Sequence, residues 1–143
     1  MMDDKQGYWN TEKVIEYLEE AGATMLAMPS RGYKTGLRMS RFDVVNIEIE
    51  AYGWDKAKVR PASPSVEAVT RMDQAFAWLL IIPEKKYVMR RIVGARALVH
   101  PLTGRYLYSW RKLGERLGTD HKAVQRWHAQ GVELIVEELI KKQ

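Results

Sequence analysis

Apolar residues first recur at the three-four spacing of one helical stripe: Val14, Ile15, Leu18, Ala21, Met25 and Leu26. Asn10 or Thr11 can cap this helix, which is expected to stop near Met28, before Pro29. Glu12, Glu16, Glu19 and Glu20 fall on its other side, where solubilising charge is the simplest role. From Pro29 to Ser40 the periodicity fades, two glycines intervene and every charge is positive, so the segment reads as a loop or arm. Phe42, Val45, Ile49 and Tyr52 then suit a short helix opened by Ser40, with Asp43 in its first turn. Residues 44 to 52 also alternate in polarity, which leaves an isolated strand open there.

Gly53 to Ser65 holds two prolines and a glycine and reads as a turn between helical units. Ser63 followed by Pro64 has the form of a cap and first helical position. The helix so opened would align Val66, Val69, Met72, Phe76, Leu79 and Leu80, with Ala75 and Trp78 widening the apolar face, and end before Pro83 as the central core element. A further helix is expected from Glu84 to about Val99. Tyr87, Val88, Ile92, Ala95 and Leu98 or Val99 would face inward, and Lys85, Lys86, Arg90, Arg91 and Arg96 outward. His100, Pro101 and Gly104 stop it.

Trp110 to Trp127 reads Trp-Arg-Lys-Leu-Gly-Glu-Arg-Leu-Gly-Thr-Asp-His-Lys-Ala-Val-Gln-Arg-Trp. Two helices joined by a tight turn need apolar contacts between them, a tiny residue where they meet and a glycine where φ turns positive. Leu113, Leu117, Val124 and Trp127 meet the first need, Gly114 the second and Gly118 the third. Thr119 stands where an aliphatic residue is more usual, and can instead help cap the second helix. That helix should begin near Asp120 and turn Asp120, His121, Lys122, Gln125 and Arg126 outward. His121, Lys122, Gln125 and Arg126 are residue types that read base edges in a major groove. Farther on, Val132, Leu134, Ile135, Leu139 and Ile140 need a partner, either the Ser65 to Ile82 helix or a dimer seam.

The chain of 143 residues carries a net charge of +5, and the distribution says more than the total. Residues 84 to 128 hold eleven Lys or Arg against Glu84, Glu115 and Asp120, while the flanking segments are close to balance or acidic. That concentration is the electrostatic footprint of a polyanion site. Lys85, Arg90, Arg91, Arg105, Arg111 and Lys112 are the candidates for phosphate contacts. Arg31, Lys34, Arg38 and Arg41 offer a second basic contact or a loose basic loop. Tyr106 and Tyr108 can donate to phosphate or pack on Trp110, and His128 is read as a packing or solvent residue.

The chain has no cysteine, which removes disulfides and thiolate metal sites, and its three histidines are too few to suggest a zinc centre. No metal, cofactor or catalytic residue is expected: there is no glycine-rich phosphate loop and no serine elbow. With no long apolar run or signal peptide, a cytoplasmic location without membrane contact is expected.

The Pro83-Glu-Lys-Lys86 helix start, a variable connector and the Ser109 to Trp127 string together resemble region 4 of bacterial sigma factors over residues 83 to 140. Arg31-Gly-Tyr33, Glu50-Ala-Tyr-Gly-Trp54, Pro61-Ala-Ser-Pro64 and Arg71-Met-Asp73 are similar to an uncharacterised helix-turn-helix family of alphaproteobacteria and their prophages. The expectation is therefore an all-α bundle, with an amino-terminal helical and arm region over 1–62 and a helix-turn-helix domain with its core helix over 63–143. Its function would be sequence-specific binding of double-stranded DNA as a phage-like or host transcriptional regulator. RNA polymerase and a second copy of the chain are the further partners considered. A small terminase subunit recognising packaging DNA and a polymerase-contacting interaction module are the alternatives.

Overall fold

The structure, a computed structural model, describes residues 8–28, 40–55 and 62–142, and it is all-α. Arg31, Lys34 and Arg38, and the side chain of Arg41, lie outside what is described.

Helix α1 spans Thr11–Ala27. Asn10 caps it from an extended conformation, its side-chain oxygen accepting the Lys13 amide at 2.8 Å. Val14, Leu18, Ala21 and Leu26 are buried along the anticipated stripe. Gly22 permits a close crossing, because a Cβ there would stand 1.9 Å from the carbonyl oxygen of Ala97.

Helix α2, Ser40–Tyr52, buries Val44, Val45, Glu48 and Ile49. That spacing is helical, so the strand alternative is not taken, and Ile47, which alternation would have turned inward, is 43% exposed. Gly53 follows with φ +82°.

Helix α3 spans Val66–Ala77 and is capped by Ser65, whose hydroxyl accepts the Ala68 amide at 3.1 Å. The expected Ser63 cap is thus displaced by two residues: Pro64 stands before the cap, and Val66 is 78% exposed. Met72, Ala75 and Phe76 reach the core. The helix then tightens into a 3-10 turn at Trp78–Ile81. With three residues per turn, Leu79 and Ile82 point inward together and Leu80 is left 39% exposed, contrary to the continuous α-helical stripe anticipated.

A second 3-10 turn at Glu84–Lys86 leads into α4, Tyr87–Arg96. The expected register fails at this entrance, where Tyr87 and Val88 are exposed while Met89, Ile92, Val93 and Ala95 are buried. The reason is that α4 is covered on two sides: Gly94 faces Val44, Val45 and Leu79, while Met89 and Val93 face Gly131 of the last helix. It also ends at Arg96 rather than Val99. Residues 98–107 form a small hairpin with an isolated antiparallel bridge between Val99 and Tyr106. The amides of His100 and Leu107 donate to the carbonyls of Arg105 and Leu98 at 2.8 and 3.0 Å. His100 holds the tip, its Nδ1 accepting the amides of Leu102 and Thr103.

Helix α5, Trp110–Leu117, is capped by Ser109, and helix α6, His121–Lys141, by Asp120. Asp120, rather than Thr119, supplies the capping side chain, accepting the Lys122 amide at 3.2 Å, while the Thr119 amide closes α5 by donating to Gly114. The carboxy-terminal part of α6 docks chiefly on α4, with further contacts to the 3-10 turn and α1. Gly131 is the closest point, since a Cβ there would meet Val93, Met89 and Ile82 within 3.2 Å. One hydrophobic core runs from Val14 to Ile135 and draws on residues before and after position 62 alike.

Candidate nucleic-acid interface

The α5–α6 pair is shaped by local chemistry in its turn. Gly118 adopts φ +69° and ψ 34°, the left-handed region that ends a helix at little cost only for glycine. Gly114 sits under the turn, where a Cβ would lie 2.7 Å from the Thr119 carbonyl oxygen. Leu113 and Val124 are buried, with Leu117 and Trp127 partly buried against the same core. The two helices are therefore held at an angle and do not form one rod.

On the first two turns of α6, Lys122, Gln125 and Arg126 are exposed. None of the three side chains makes a hydrogen bond or ion pair among the described residues. His121, 38% exposed, stands beside the turn with Nδ1 3.7 Å from an Asp120 carboxylate oxygen. A shallow cleft along the turn is lined by Arg111, Gly114, Glu115, Thr119 and His121. Lys85, Arg105, Arg111 and Lys112 are also exposed, and Lys112 Nζ lies 5.1 Å from the centre of the Tyr52 ring.

Arg90 and Arg91 are not brought into that set. Arg90 Nε donates to the Ile82 carbonyl at 2.6 Å, satisfying the end of the 3-10 turn, and Arg91 Nε donates to Glu48 Oε2 at 2.8 Å. Arg96 is likewise internal. Its guanidinium lies 3.6 Å from the Tyr106 ring centre and 4.0 Å from that of Trp110, and donates to the Tyr108 carbonyl at 2.9 Å. Burial lowers its pKa from the ordinary arginine value, opposed by Tyr106 and Glu19. The two tyrosines also have internal partners: Tyr106 donates to Glu19 of α1, and the buried Tyr108 hydroxyl donates to the Glu48 carbonyl at 2.9 Å. His128 packs edge-on against Trp110, and its pKa is lowered to about 4, first by burial and then by the nearby Arg96 charge.

Glu48 is the polar residue that sequence reading missed. It is 2% exposed, with Oε2 taken by Arg91 and Oε1 by Arg116 at 2.9 Å. A signal for it existed: Glu48 lies four residues after Val44 and three after Val45, on the inward face of a helix.

Among the described residues no group of three or more His, Asp or Glu is placed to hold a metal, and no helix is long and apolar enough to cross a membrane. No curated protein and no solved structure matches the chain. A family described as a domain of unknown function, DUF6362, matches residues 27–135, and the chain belongs to that family.

Proposed function

We propose that this protein binds double-stranded DNA sequence-specifically, as a phage-like or host transcriptional regulator and not as an enzyme. In this reading α5 and α6 act as a helix-turn-helix of the sigma region 4 kind. The observation that carries it is the exposure of Lys122, Gln125 and Arg126 together on the first two turns of α6, beyond the bend at Gly118. A helix of about 10–12 Å diameter fits a major groove about 12 Å wide, and these side chains can donate to guanine O6 and N7 or pair with adenine. His121 adds a donor at the edge of the same surface. Lys85, Arg105, Arg111 and Lys112 hold phosphates, which sets affinity and register without reading sequence. Arg90 and Arg91 leave the phosphate-binding set, because each already serves an internal acceptor.

The test is selection of bound duplexes from random or genomic DNA, followed by a salt titration of affinity for the selected site. Binding that weakens steeply with salt, and a recovered sequence preference that Arg126→Ala relaxes, are the expected results. Absence of duplex binding at low salt would overturn the reading and favour an interaction module.

A further inference from the structure

We propose that Glu48 is the positioning residue that fixes α5, and with it the turn that α5 makes onto the exposed cationic start of α6, on α2 and α4. Its importance for DNA rests on the function proposed above; its effect on orientation does not.

Helix α5 is eight residues long and buries only Leu113 and Gly114. Leu113, with Trp110 and Leu117 partly buried beside it, seats α5 on the core and on α6, and the contacts of Arg116 and Lys112 tie it to α2. Glu48 and Tyr52, one turn apart on α2, face Arg116 and Lys112, one turn apart on α5. Arg116 Nη2 donates to Glu48 Oε1 at 2.9 Å, and Lys112 lies over the Tyr52 ring. Tyr108, just before α5, sits between them, its ring 5.6 Å from that of Tyr52 and 5.7 Å from the Arg116 guanidinium, with its hydroxyl on the Glu48 carbonyl. Arg91 of α4 holds the second carboxylate oxygen, so three helices and the connector converge on one residue.

The arrangement is also sensitive to charge. A glutamate side chain that is 2% exposed is matched by two arginine side chains that are 26% and 31% exposed. Neutralising it leaves two cations close together with no anion between them, and α5 is the shorter and less buried of the helices that bring them there. The structural response should therefore be local to α5 and its approach.

Amide hydrogen exchange on the full chain tests this. In Glu48→Gln, which keeps size and removes charge, the amides of Leu107 and Leu113 to Leu117 should exchange about tenfold faster, while those of Leu18, Met25 and Met72 stay within about twofold. Arg116→Met attacks the same contact from its more exposed end, where folding is less at risk, and should give the same contrast. Uniform acceleration across the chain in Arg116→Met, or none, overturns the proposal. Affinity for selected and random duplexes, measured in both variants, is the second readout. Reduced preference for the selected duplex alongside local loosening supports it, and unchanged preference alongside local loosening overturns the positioning role. A wild-type chain that binds no duplex sinks the DNA reading alone, because the exchange result still decides whether Glu48 orients α5.

Discussion

The segment from Glu84 to Arg96 and the segment from Trp110 to Arg126 are similarly basic in sequence, yet they use their cations in opposite ways. In the first, Arg90, Arg91 and Arg96 turn to carbonyls, a buried carboxylate and aromatic rings, leaving Lys85 and Lys86 exposed. In the second, Arg116 is tied to the buried carboxylate and Lys112 lies over the Tyr52 ring while staying exposed, and Arg111, Lys122 and Arg126 also remain at the surface. The difference follows from placement. Helix α4 is covered by α2 and α6 on two sides, and the five donors of an arginine suit it to bridging such neighbours. The first turns of α6 bury Ala123 and Val124 and leave Lys122, Gln125 and Arg126 exposed. A cation counted along the chain is thus not necessarily a cation offered to a polyanion.

Acidification should give the largest effect, because Trp110 joins the two regions, with Arg96 on its face and His128 at its edge. The folded-state pKa of His128 lies near 4, below its unfolded value of about 6.5, so between those values the unfolded chain binds more protons. Stability contributed by neutral His128 should be full above pH 6.5 and fall as pH drops toward 4, by about 3 kcal/mol in all. Urea unfolding across that window checks it, and His128→Phe should flatten the dependence. A profile equally steep in the variant would break the link.

Removing a committed arginine should come next. Arg96→Met loses two ring contacts and a charge-assisted hydrogen bond, at a cost of about 2 kcal/mol in urea unfolding. Arg126→Ala should do the reverse, shifting stability by no more than about 0.5 kcal/mol while weakening binding to a selected duplex roughly tenfold. If Arg96→Met proves neutral to folding, or Arg126→Ala costs as much stability, the contrast between the two regions collapses. The smallest effects belong to Lys85→Ala and Arg105→Ala, each of which should reduce the slope of log affinity against log salt by about one without changing sequence preference.

Much of the architecture was legible because it is local. The stripe of α1, the Asn10 cap, the bend at Gly118 and the outward set on α6 each depend on residues a few positions apart. The failures came where a distant neighbour intervenes. Tyr87 and Val88 lost their inward places because a 3-10 entrance and contacts from both α2 and α6 set the rotation of α4. Arg90 and Arg91 looked like surface cations because their acceptors, at Ile82 and Glu48, are recognisable only once the helices have packed.

By itself the sequence determined the helical stripe of α1, the Asn10 cap and the glycine-dependent turn between α5 and α6, since backbone conformation and side-chain spacing act over a few residues. Tertiary structure alone decided which cations remain exposed and which acid lies at the junction of three helices. Burial and ion pairing depend on what arrives from elsewhere in the chain: Glu48 meets Arg91 and Arg116 across 43 and 68 residues of sequence.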